Sequence, residues 1–345
     1  MRSKVFRFTA LLMALVLVFS FAGCKEKEEP MSSSAPVPTI PTTTDPNVRF
    51  VNPLTGEENL GTNQNRPIAF MVGNSGYKGY LQQKNIDKAD FYVEAETEGG
   101  IPRIMAVFGS VENIPNQIGP VRSARTHFVK MAKALDSIYC HVGGSTQGKA
   151  LIKTLGLVDF DSLTVASEEL RGANGNYSEH VKVFTKEKVN AAINSRKVAT
   201  TTATKSPYVF GNKAGNGAGN SVQVAISSAY YSSFTYDAQT GLYTKHRGNL
   251  TTPVHTSYDG DPIAVKNVIV MYDSKYQEDA EHISFTLDKG EGVLVTGGTS
   301  RNIKWSRTNN QLTFTEEDGT ALTVAVGKTY VLLTSSNLKS KTTIA

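Results

Sequence analysis

The hydrophobic rhythm of this chain changes once, near residue 206, and no other feature limits its fold so tightly. From Arg49 to Ser206 short apolar runs alternate with segments of helical spacing. "RPIAFMVG", "ADFYVEAE", "PRIMAVFG" and "DSIYCHVG" read as buried strands, whereas "RTHFVKMAKALD", "GKALIKTLG" and "KEKVNAAINSR" carry apolar residues at helical intervals. Interleaved strands and helices predict an α/β domain over residues 49–206 that carries the pocket. "GNKAGNGAGNS" then marks a loop. Beyond it "SVQVAIS", "VKNVIVMY", "GVLVTGG" and "TYVLLTS" alternate with turn signals such as "DAQTG" and "EEDGT". An all-β domain, sandwich or barrel-like, is therefore expected over residues 207–345.

The start of the chain bears on location. Arg2, Lys4 and Arg7 precede an apolar run from Ala10 to Phe21, and the small residues Ala22 and Gly23 lead into Cys24. This is the layout of a secretory signal over residues 1–23. A cysteine directly after the small pair resembles a bacterial lipobox, in which the thiol takes a diacylglycerol and anchors the mature chain. Residues 24–48, rich in Pro, Ser and Thr, hold too little apolar surface to fold and read as a disordered tether. The expected location is the cell membrane, lipid-anchored on the extracytoplasmic face. The net charge of +5 includes three charges from the signal. The remainder is too weak an excess to argue for nucleic acid. Of two cysteines, Cys24 is assigned to lipid, which leaves Cys140 without a disulfide partner.

"GGSTQGK", residues 143–149, is one residue short of a phosphate-binding loop. Ala150 stands where Ser or Thr would hold magnesium, and an exported domain does not normally meet ATP, so nucleotide hydrolysis is not expected. A Gly-rich turn before a helix still presents N–H groups to an anion, although a tight strand-to-helix turn explains the same residues. "YVEAETEGG" places Glu94, Glu96 and Glu98 at a spacing of two, on one face of a strand. "IGPVRSART" sets Arg122 and Arg125 near a helix start, where they oppose the helix dipole. They fork onto ligand carboxylates, or they pair with Glu94 and Glu98. Ser123 and Thr126 are candidate caps for that helix. The six histidines show no metal-ligand spacing, so neither metal nor cofactor is expected.

At "VNPLTGEE", "RPIAFMVGN", "ADFYVEAETEGGIPRIMAVF", "IGPVRSAR" and "YCHVGGS" the chain resembles the YerB-like bacterial lipoproteins, built from two domains of unknown function. The likeness continues through "YDAQTGLYTKHRG", "KNVIVMY", "VLVTGG" and "IKWSR". It implies an exported lipoprotein with an α/β first domain and a β-rich second one. Glu94, Glu98, Arg103, Arg122, Ser123, Arg125, His141, Gly143, Gly144 and Ser145 match the family's strongest motifs. His180 matches the first member of a His-Asn pair whose second position here is Val181.

These readings gather into one pocket. Arg103, Arg122, Ser123, Arg125, His141, Gly143, Gly144, Ser145 and His180 are its expected ligand contacts, with Glu94 and Glu98 as the candidate acids. The leading expectation is a binder of an anionic or mixed-charge envelope ligand, such as a peptidoglycan fragment or wall polymer. The alternatives are a glycan-cleaving enzyme with a glutamate general acid, and an envelope factor that docks a protein partner.

Overall fold

The computed structural model describes residues 49–60, 64–74, 83–165, 168–169, 182–258 and 260–345. The expected signal and tether, Cys24 and His180 lie outside the described residues. The described residues form a single compact unit.

The first half is mixed α/β and the second is mostly β-sheet, as the rhythm predicts. The α/β segment supplies β1 (Ile68–Gly73), β2 (Phe91–Glu96), β3 (Pro102–Phe108), α1 (Thr126–Ala134), β4 (Ile138–His141), α2 (Thr146–Thr154), β5 (Asp159–Asp161) and α3 (Lys186–Arg196). The β-rich segment adds β6 (Ser221–Ala225), β7 (Tyr231–Asp237), β8 (Leu242–His246), β9 (Asn267–Asp273), β10 (Lys289–Thr296), β11 (Thr299–Thr308), β12 (Gln311–Glu316) and β13 (Thr329–Ser335).

One sheet of eleven described strands runs through both segments. Its order is Gly217–Ala218, β11, β10, β9, β13, β2, β3, β1, β4, β5, with β12 paired to β11. The join is β13, which lies parallel to β9 on one side and parallel to β2 on the other. All seven residues of β13 are buried. A strand enclosed on both edges and both faces can be continuously apolar, and the central four residues of "TYVLLTS" are.

Each face of this sheet has its own core. On one face Tyr92, Val270, Tyr330 and Leu332 meet Val222, Val224, Phe234 and Tyr243 from a five-stranded antiparallel sheet built around β6, β7 and β8, so that sheet packs on sheet. Tyr330 stacks on Tyr92 at 4.9 Å and meets Phe234 edge-on at 5.0 Å. Burial of each such ring is worth roughly 2–3 kcal/mol. On the other face Val93, Ala95, Met105 and Tyr139 pack against Phe128, Val129 and Ala132 of α1 and Ile152 of α2. Ser145 caps α2 by accepting the Gly148 N–H at 3.0 Å, and Thr185 caps α3 at Lys188. Neither Ser123 nor Thr126 caps α1. Arg125 occupies that position and its side chain makes no capping bond.

Candidate functional site

The strands β9, β13, β2, β1, β4 and β5 all point one way, and only β3 runs against its neighbours in the α/β half. Their C-terminal ends make a single edge, the place where open α/β sheets take ligands. Residues 121–124 cross it. Arg122 N–H donates to Met71 O at 2.6 Å, Val142 N–H donates to Arg122 O at 3.1 Å, and Ala124 bridges to Gly144. Arg103, at the start of β3, faces Gly73 and Ala95 across the same edge.

β2 ends at Glu96, and this separates the three glutamates. Gly99 and Gly100 have φ of +67° and +75°, a conformation that favours glycine, and they close a tight turn from Thr97 to Ile101. Glu98 is thereby carried to the face opposite Glu94. There Arg125 grips both of its carboxylate oxygens, with Nε donating to Oε2 at 2.7 Å and Nη2 to Oε1, while Arg103 Nη2 also donates to Oε1. The remaining guanidinium N–H groups hold the crossing segment: Arg103 Nη1 donates to Ser123 O at 2.7 Å and Arg125 Nη1 to Ala124 O at 2.8 Å. Burial alone would raise the Glu98 pKa, but the Arg125 hydrogen bonds and the charges of Arg103 and Arg125 outweigh it and hold the carboxyl at about 2. Burial pulls Arg103 down to about 10, which leaves it protonated at neutral pH. Arg122 adds a third cation to this edge, close enough to Arg103 to be felt electrostatically, and its stem lies over Gly73.

Glu94 faces the five-stranded sheet and is sealed. Its side chain and that of Lys245 are each 1% exposed, with Lys245 Nζ 3.4 Å from Oε2. The same oxygen accepts from Ser232 Oγ and Tyr330 Oη, both at 2.8 Å, and Oε1 accepts from Asn74 Nδ2 at 2.9 Å. Both oxygens are met by donors, as a carboxylate buried beside a single cation requires. Glu96, beside it, pairs with Lys275 at 2.8 Å. His255 joins the network's rim, its Nε2 meeting Gln83 Oε1 at 2.5 Å. Burial, with Lys245 and Arg247 nearby, pushes its pKa well below the ordinary histidine range.

The glycine-rich turn satisfies itself. Gly143 has φ +56°, its N–H donates to Asp161 Oδ1 at 2.9 Å, and its carbonyl accepts from Ala124 N–H. His141 is buried between two acceptors, Gly143 O at 2.8 Å from Nδ1 and Asp159 Oδ2 at 3.1 Å from Nε2. Ser145 spends its oxygen on the α2 cap. Burial pushes the Cys140 thiol well up, as suits a small core side chain.

The structure thus brings Glu98, Arg103, Arg122, Ser123, Arg125, His141, Gly143, Gly144 and Ser145 to one sheet edge, and it puts Glu94 on the far face. Sequence reasoning missed His127 and Tyr139, which are buried beside the arginine pair with no hydrogen-bond partner for either ring nitrogen of His127 or the Tyr139 hydroxyl. Burial pulls His127 down to about 3, with help from Arg103 and Arg125. Lys245 was also missed, because a lone lysine in "YTKHR" carries no signal of its distant partner. Among the described residues no group of His, Cys, Asp and Glu is arranged to hold a metal ion. No described helix is long and apolar enough to cross a membrane.

An α/β half and a β-rich half fused through one sheet make a two-part mixed α/β and β-sheet protein. The N-terminal domain of a protein family of unknown function (DUF3048) matches residues 54–199, and the C-terminal domain of the same family matches residues 222–331. The chain belongs to this family. The putative lipoprotein YerB of Bacillus subtilis (strain 168) is 26% identical over 294 residues, which cover 81% of this chain and 84% of that protein. The crystal structure of the YerB protein from Bacillus subtilis has the same fold, with a TM-score of 0.72 at 24% identity over 85% of this chain and 98% of that one.

Proposed function

We propose that this chain is a membrane-tethered extracytoplasmic lipoprotein, anchored through Cys24, that binds an anionic or mixed-charge cell-envelope ligand at the arginine edge. A peptidoglycan fragment or a wall polymer is the ligand class in view. One observation carries the reading: Arg103 and Arg125 already grip a carboxylate, that of Glu98, on a tight turn closed by two glycines. Glu98 stands in for the ligand's own carboxylate or phosphate. Two guanidiniums against this one acid leave the cluster net positive, and a bidentate guanidinium fork suits either anion. The likeness to a putative lipoprotein supports the tether.

Glycan cleavage draws less support. A carboxyl held at about 2 is no proton donor near neutrality, and Glu94 has no exposed surface on which a sugar would sit. The deciding assay incubates residues 49–345 with purified peptidoglycan, measures protein in the pellet and runs mass spectrometry on the supernatant. Protein in the pellet without new muropeptides is expected. New muropeptides would overturn the binding reading, and protein left in solution would overturn the choice of ligand.

A further inference from the structure

A cleft of about 420 Å³ opens where the α/β and β-rich segments meet, on residues that the arginine edge does not use. That volume lies within the range of small-ligand pockets. Its walls carry acids and lysines in equal number, with Leu242 and Val326 as apolar surface. Part of this charge is already spent, because Lys88 Nζ sits between Asp87 Oδ2 at 2.9 Å and Asp261 Oδ2 at 3.2 Å. The rest is not. Asp87 is 5% exposed, and its other oxygen, Oδ1, is buried without a hydrogen-bond partner. Gly260 packs against that oxygen without supplying a donor, and a Cβ there would stand 2.7 Å from it. Lys328 Nζ donates to a carbonyl, Asp87 O, at 2.7 Å. Lys266 has no ion-pair partner among the described residues, and neither has Glu57. The Lys266 stem runs over Gly327, where a Cβ would come within 2.8 Å of it, and its ammonium lies over Gly241. The position of this ammonium is therefore built by two glycines.

We propose that this cleft binds a small zwitterion of the α-amino-acid type, its ammonium on Asp87 Oδ1 and Glu57 and its carboxylate on Lys266 and Lys328. A buried carboxylate oxygen left without a donor is costly, and an arriving ammonium supplies one. The Lys328 ammonium touches the Asp87 backbone, so the ligand's own charges must also lie only a few bonds apart. That excludes extended polyanions and polyamines and selects a free amino acid or the zwitterionic end of a very short peptide. The apolar wall at Leu242 and Val326 takes a small side chain. The proposal stands apart from the arginine edge, and neither depends on the other.

The test is isothermal titration of the full chain in detergent with glycine, L-alanine, D-alanine and alanyl-alanine, beside N-acetylalanine amide as the uncharged control. At least one zwitterion should bind saturably while the control does not. Asp87→Asn and Lys266→Met should each weaken binding about ten-fold or more, the effect of losing one charge-assisted contact. Lys266→Met removes a cation with no internal partner, so it reports on the cleft even if Asp87→Asn fails to fold. The proposal is overturned if no zwitterion saturates, if the uncharged control binds as well, or if Lys266→Met binds as tightly as the parent chain.

Discussion

Replacing Glu98 by glutamine should destabilise the protein at neutral pH and lose that effect as the solution is acidified. The carboxyl falls from an unfolded value near 4.5 to about 2 in the folded chain. At about 1.4 kcal/mol for each pH unit the linkage comes to ~3.5 kcal/mol. The side chain is 31% exposed, and solvent screening trims this to roughly 2–3 kcal/mol. The sign follows from the direction of the shift. A depressed carboxyl contributes its stability above pH ~4.5 and loses it as pH falls towards 2. The glutamine amide would resemble the protonated acid in shape but leave Arg103 and Arg125 facing each other without an anion. Urea denaturation of the two proteins across this window is the assay. Other acids titrate there as well, among them Asp279, but they are common to both chains and cancel in the difference. A gap of roughly 2–3 kcal/mol at neutral pH should close towards zero near pH 2. A gap that stays constant with pH would refute the reasoning.

Two further predictions concern side chains the site does not expose. Lys245→Met should cost about 3–5 kcal/mol by leaving the Glu94 carboxylate without its cation in the core, and adding Glu94→Gln should recover much of that loss; denaturation of both variants checks it. Ser145→Ala should lower stability by about 1 kcal/mol through loss of the α2 cap and leave peptidoglycan retention unchanged, as thermal melting and cosedimentation would show.

The local elements of this fold are written plainly in the sequence. "RPIAFMVG", "ADFYVEAE", "PRIMAVFG" and "DSIYCHVG" become β1 to β4, and the three helical patterns become α1 to α3, because apolar periodicity is a local property. Pairing across long separations is not local. Nothing in "TYVLLTS" says that it will lie between β9 and β2 and make one sheet of two rhythms. The glutamates show the same limit at closer range. A spacing of two puts Glu94, Glu96 and Glu98 on one face only while the strand lasts, and the Gly99–Gly100 turn ends it early. The arginines were legible as anion-seeking groups because they oppose the α1 dipole. Which anion they hold is decided by that turn. The Glu94–Lys245 pair, joined across half the chain, left no trace in either local pattern.

The central claim is that the arginine edge takes an envelope anion in the place Glu98 now fills. Affinity for purified, soluble anionic wall polymer tests it most directly, measured by titration calorimetry on the parent chain, Glu98→Gln and Arg122→Ala under identical salt. Removing the internal anion should tighten binding, and removing a cation should weaken it about ten-fold. Equal affinity in all three proteins would contradict the account.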